Sequence, residues 1–291
     1  MLYQLKNNML CVQISSLGGE IVSVQQADGT EYIWQPNPAY WKKQAPHLFP
    51  IVGRLTQGTY LLDGQPYQTD THGFFRWKEM TLVESTQDTL VLSMQNDPDT
   101  CAQYPRRWEA MLTYKLQDTG LSICFAVVNQ DEKDLFFAYG GHPGFCVPLE
   151  KGLTFEDYYL QFEEGTYPVQ VGFSENCFVQ GSNTPLALSA QNTLPLSHSL
   201  FNNDAVVLKQ TGHSVCLRSK HGQRQVCVQF AQMPYVGLWH PPGTDAPFVC
   251  IEPWTSLPSR QGVIEDLNEK QDLVCLPSGR QYQNNWQITF G

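Results

Sequence analysis

Short alternations of apolar and polar residues, each ended by a turn signal, run the length of this chain and leave little room for anything but antiparallel β-structure. Leu10, Val12 and Ile14 alternate before Gly18-Gly19, and Ile21, Val22 and Val24 lead into Asp28-Gly29. Residues 60–62 and 66–67 flank Asp63-Gly64, a dipeptide suited to the two positive φ angles of a tight hairpin. Residues 108–116 and 121–128 flank Asp118-Thr119-Gly120, and residues 215–218 and 225–230 flank Lys220-His221-Gly222. Residues 282–290 read as a closing strand. No stretch of helical length carries a 3.6-residue apolar stripe, although residues 97–104 suit a short helical turn. The pattern predicts an all-β protein, a large antiparallel β-sandwich in one domain spanning residues 1–291. Residues 173–199 alternate poorly and are expected to hold a long loop.

Composition narrows the function classes. A net charge of −10 disfavours nucleic acid and anionic membranes, while an uncharged metabolite is indifferent to it. The first eight residues lack the pattern of a secretory signal, and no apolar run is long enough to span a bilayer, so a cytoplasmic location is expected. The nine cysteines are odd in number and form no Cys-x-x-Cys pair, which favours buried free thiols over a disulfide framework.

Two segments set one titratable group each among apolar, glycine and proline neighbours. Glu252 lies in Phe248-Val249-Cys250-Ile251-Glu252-Pro253-Trp254, the most apolar setting of any carboxylate here, and burying a carboxylate is costly unless it is paired. His142 lies in Tyr139-Gly140-Gly141-His142-Pro143-Gly144-Phe145, where glycine permits close backbone approach. The two are 110 residues apart and suit an acid and a base on opposite sides of a small polar substrate. Structural alternatives stand beside each: an ion pair of Glu252 with Arg54 or Arg76, and a hydrogen-bonding role for the histidine.

Four further residues are candidates for substrate contacts. Arg54 follows Gly53 in an apolar stretch, and its planar fork suits vicinal hydroxyls or a carboxylate. His72, in Thr71-His72-Gly73-Phe74, is placed at a strand end. Asp204 precedes a strand at Ala205-Val206-Val207-Leu208, and Trp239 offers a face on which a sugar can stack. Phosphate loops, a dinucleotide fingerprint, a Gly-x-Ser-x-Gly elbow and zinc spacings are missing from the sequence. His72, His142 and Glu252 could form a two-histidine-one-carboxylate iron site, but the chain has no His-x-His pair of the kind β-scaffolds use, and no metal is expected.

These segments, in this order, resemble the aldose 1-epimerase (galactose mutarotase) superfamily, in particular its shorter LacX-like branch. Val52-Gly53-Arg54-Leu55, Gly58-Thr59-Tyr60, Thr71-His72-Gly73-Phe74, Gly141-His142-Pro143-Gly144-Phe145, Phe201-Asn202-Asn203-Asp204 and residues 248–254 carry the resemblance. It implies a galactose mutarotase-like supersandwich and cofactor-free interconversion of α and β anomers of an aldohexose. Glu252 would take the proton of the anomeric hydroxyl while His142 protonates the ring oxygen. Arg54, His72 and Asp204 would hold sugar hydroxyls. After Trp254 the chain reads Thr255-Ser256-Leu257-Pro258-Ser259 where the family pattern is richer in glycine and acid, which bears on sugar preference. Two alternatives remain: a phosphorylated hexose, with Arg76, Arg106 and Arg107 as the extra cations, and a non-catalytic sugar-binding sandwich. Whether the chain is a monomer or a homodimer is open.

Overall fold

The structure, a computed structural model, describes residues 1–291 and is built almost wholly of antiparallel strands. Each alternating segment forms a strand where its turn residues supply the reversal. Asp63 and Gly64 both take positive φ, 52° and 72°, and join strands Thr59–Leu62 and Gln65–Gln68. Asp118, with φ 50°, turns Trp108–Gln117 back onto Gly120–Asn129. The one α-helix, Pro98–Gln103, starts where proline tolerates the first turn, and Asp97 caps it by accepting from the Thr100 N–H.

Two large sheets dominate. In the nine-stranded sheet, Gln281–Phe290 lies between Val226–Gln229 and Gly120–Asn129. In the other sheet, Val206–Lys209, Tyr235–Trp239 and Phe248–Trp254 run side by side. Gly140–Gly141 and Gly144–Cys146 both pair with Phe248–Trp254, and His47–Leu48 lies beyond Gly140–Gly141. Sixty buried apolar side chains, from Leu5 to Phe290, form one contiguous core cluster that draws on both sheets, which makes the sandwich the packed unit.

Two expectations need correction. Cys216 and Cys227 stand directly opposite on adjacent antiparallel strands and form a disulfide, whereas the other seven cysteines are free thiols. Strand register, which sequence spacing does not give, brings that pair together. His72 sits in a turn with φ 66°, not at a strand end. Residues 173–199 are, as expected, largely irregular, with only the very short strands Thr184–Pro185 and Thr193–Pro195 and the start of a 3-10 turn at His198.

Candidate functional site

Phe248–Trp254 is buried along its whole length, so both its faces are covered. Side chains alternate across a strand. Val249 and Ile251 therefore join the main core, while Cys250, Glu252 and Trp254 point to the other face of the sheet. Glu252, 2% exposed, is registered opposite Gly237 on the neighbouring strand. A Cβ at Gly237 would come within 3.0 Å of the Trp254 ring, so glycine there leaves space on the carboxylate's face.

His142 occupies the break between Gly140–Gly141 and Gly144–Cys146, with its N–H bonded to the Pro46 carbonyl at 3.0 Å. Glycine is required beside it: a Cβ on Gly141 would lie 2.7 Å from the Trp286 ring. From this position the His142 Nε2 lies 3.2 Å from a Glu252 carboxylate oxygen. The two segments singled out in the sequence thus meet directly, on one side of the cavity rather than on opposite sides. Glu252 pairs with neither Arg54 nor Arg76.

Burial drives the electrostatics of this pair. It pushes the Glu252 carboxyl well above the usual range, and the Asp204 charge adds to the effect. It pushes the His142 imidazole down to about 3. Both shifts disfavour charge and so favour a neutral pair, in which the carboxyl keeps its proton beside an unprotonated imidazole. That state carries the same single proton as a carboxylate–imidazolium pair, and the 3.2 Å contact is the route between the two. The Nδ1 of His142 is buried and has no hydrogen-bond partner.

His72 is locked by a reciprocal pair of bonds. Its N–H donates to the Gly53 carbonyl at 2.9 Å, and the Gly53 N–H donates to its Nδ1 at 3.0 Å. The ring proton is therefore on Nε2, because Nδ1 is the acceptor. Burial, followed by the nearby His142, keeps this imidazole well below its ordinary range. The left-handed turn at His72-Gly73 sets the ring edge-on to His142, centroids 5.5 Å apart.

Asp204, also at positive φ (71°), accepts from the Trp239 indole N–H at 2.8 Å and from the Cys177 thiol at 3.0 Å. Arg54 approaches the same carboxylate at 3.7 Å and donates to the Asn176 carbonyl at 3.1 Å. Trp239 stands edge-on to His142 with centroids 5.6 Å apart. All six residues predicted from the sequence line one cavity of about 410 Å³, the size of a small-ligand site.

Sequence reasoning missed several walls of that cavity. Trp41 stacks on His142 with centroids 4.9 Å apart, and Phe173 and Cys177 come from the segment read only as a loop. No local pattern marked them, since loop residues converge only through the fold. Arg76, named earlier as a possible partner of Glu252 and as an extra cation, lines the cavity and has no carboxylate partner. Arg106 is instead bound to Asp63 at 2.9 Å, and Arg107 lies 3.7 Å from Asp131.

For a metal, His142, Cys250 and Glu252 each offer one ligand atom, all within 4.8 Å of one another. Burial raises the Cys250 thiol as well as the Glu252 carboxyl, so metal binding would first have to displace two protons from an apolar setting. His72 has already committed its Nδ1 to Gly53. The arrangement suits proton transfer better than ligation.

The chain matches the Aldose 1-epimerase family over residues 1–289. It is 34% identical to the chromosomal protein LacX of Lactococcus lactis subsp. lactis over 291 residues, covering 96% of this chain and 97% of that protein. Among solved structures, a galactose mutarotase related enzyme from Lactobacillus acidophilus superposes with a TM-score of 0.95 at 31% identity, covering 100% of this chain and 97% of that one. A galactose mutarotase-like protein from Lactobacillus casei gives 0.94 at 28% identity, with 100% of both chains covered. With the family match spanning residues 1–289, the chain belongs to the aldose 1-epimerase family and is a sugar isomerase of the epimerase type.

Proposed function

We propose that this protein is an aldose mutarotase that interconverts the α and β anomers of an aldohexose by acid–base ring opening and closure. The observation that carries the reading is the His142–Glu252 contact at 3.2 Å inside the cavity. Ring opening removes a proton from the anomeric hydroxyl and adds one to the ring oxygen, and both oxygens are bonded to the same carbon. An acid and a base that share one proton and touch one another can reach both oxygens without either moving far.

In the forward direction Glu252, as carboxylate, takes the hydroxyl proton while His142, as imidazolium, protonates the ring oxygen. The ring C–O bond breaks and the anomeric carbon becomes an aldehyde. Rotation about the adjacent carbon–carbon bond presents the other carbonyl face, and the reversed proton transfers close the other anomer. No net proton is gained or lost, so the pair returns to its starting state in either direction. Arg54, the His72 Nε2–H and Asp204 would hold sugar hydroxyls, and Trp239 would cover an apolar sugar face. Polarimetry of freshly dissolved α-galactose and α-glucose tests the reading: the proposal expects decay of rotation faster than the spontaneous rate. No acceleration with either sugar would refute the simple-hexose form.

One observation favours a second reading, in which the hexose is phosphorylated. Arg76 is the cavity's cation without a carboxylate partner, and its buried Nε has no acceptor. An anionic substituent in the cavity would supply the counter-charge this guanidinium lacks. If a hexose 6-phosphate is turned over with the higher kcat/KM and Arg76→Gln removes only that preference, the second reading replaces the first. A retained preference for the neutral sugar would end it.

A further inference from the structure

Outside the acid–base pair, two more histidines meet behind the wall formed by Asp204 and Trp239. His240 is fully buried, and its Nδ1 lies 2.8 Å from the Pro241 carbonyl, so Nδ1 carries the proton and Nε2 the lone pair. That Nε2 lies 3.1 Å from the His198 Nδ1, so His198 is the donor. A directed chain results: His198 Nδ1–H to His240 Nε2, then His240 Nδ1–H to the Pro241 carbonyl. The His198 ring stacks on Phe155 with centroids 4.1 Å apart, and Phe201 packs on His240 at 4.6 Å.

The position of this bond in the chain gives it a role. His198 opens the 3-10 turn His198–Phe201, and the Asp204 N–H bonds back to the Phe201 carbonyl at 3.0 Å. His240 directly follows Trp239, the last residue of its strand. The strands Val206–Lys209 and Tyr235–Trp239 are paired only from Val206↔Leu238 onward. Asp204 therefore lies beyond this ladder in a left-handed conformation, while Trp239 is held only on its other side, opposite Cys250, and the histidine bond closes the open end between the two strands.

We propose that His198 and His240 form a positioning pair that fixes the Asp204 carboxylate and the Trp239 indole against the sugar. The inference rests on the reading of this cavity as a sugar site. His198 touches no reacting atom; it acts through the turn that carries Asp204, and His240 through the residue it follows.

The test replaces His198 in the full-length protein. His198→Phe keeps the stack on Phe155 but removes the donor, while His198→Asn restores an N–H near the Nδ1 position. The two readouts are the Trp239 indole N–H resonance, assigned with Trp239→Phe, and the split between KM and kcat. The pair predicts that His198→Phe moves the indole resonance and raises KM roughly tenfold with little change in kcat, as loss of an outer support does. His198→Asn is expected to recover most of both. An indole resonance unmoved in His198→Phe, or shifts that Asn fails to reverse, would overturn the proposal. Should the native protein turn over no sugar, the mutarotase reading falls, and the indole resonance alone decides the pair.

Discussion

His47 lies on a strand paired with Gly140–Gly141 and His142 directly follows that pair, and burial pushes both imidazoles down to about 3. Neither is more than 8% exposed. Yet one serves the core and the other opens a cavity. His47 is registered opposite Gly141, so its ring points to the core face, while His142, one residue on, points to the opposite face. On the core side every valence closes. The Trp286 indole N–H donates to the Tyr139 hydroxyl at 3.0 Å, which donates to His47 Nδ1 at 3.0 Å. His47 Nε2–H donates to the Tyr114 hydroxyl at 2.7 Å, which in turn donates to the Gly19 carbonyl. On the cavity side His142 keeps a buried Nδ1 without partner and has a carboxyl 3.2 Å from its Nε2. Burial and a depressed pKa are common to both, so neither marks function. An open valence beside a proton-sharing partner does.

That contrast can be broken by substitution. Replacing His142 with Ala is expected to lower kcat by roughly 10²–10⁴-fold, the usual worth of a positioned acid or base, while thermal unfolding changes little. His47→Ala should do the reverse. Two buried phenol groups would lose their partner at a cost of about 2–4 kcal/mol in urea unfolding, with kcat per folded molecule nearly unchanged. If the two variants exchanged phenotypes, the distinction would be lost. A smaller effect is expected at the cavity rim, where Asp204→Asn should raise KM roughly tenfold by weakening charge-assisted bonds, with kcat less affected.

The smallest effect is on stability with pH, and its sign is fixed. The folded values of His47 and His142 are pushed down to about 3, and that of His240 to about 4. Unfolded imidazoles titrate near 6.5. Above that pH both states are neutral and the contribution is fully present. As pH falls from about 6.5 towards these folded values, the unfolded chain takes up protons the folded protein refuses, and stability declines. Glu252 opposes this. Its raised carboxyl costs stability at and above its folded value, and the loss is recovered as pH falls towards the unfolded value. Three or more histidines outweigh one carboxyl, so the urea midpoint should fall between pH 7 and pH 5, less steeply in His47→Gln. A midpoint that stays flat would contradict the neutral assignment of these rings.

Much of the fold was legible because turn chemistry is local. Asp63-Gly64 and Asp118 mark reversals through their own backbone preferences, whatever lies around them. Glu252 was legible because no other carboxylate sits in so apolar a strand, and His142 because its flanking glycines permit the approach to Trp286. What escaped depends on register and on loops meeting in space. The Cys216–Cys227 bridge follows from which residues face each other across two strands. Trp41 and Cys177 reach the cavity from segments without periodicity, and the left-handed turn at His72 is held by Gly53, nineteen residues earlier. The direct His142–Glu252 contact is of the same kind: the residue types were readable, but their separation was not.

The central claim is that Glu252 and His142 share the proton that opens the sugar ring. The most direct measurement is anomer exchange by NMR at saturating aldose, comparing the native protein with Glu252→Gln and subtracting the spontaneous rate. The account predicts exchange reduced by roughly 10²-fold or more in the variant, with sugar affinity largely kept, because glutamine fills the site but cannot accept the hydroxyl proton. Exchange at the native rate in Glu252→Gln would contradict it.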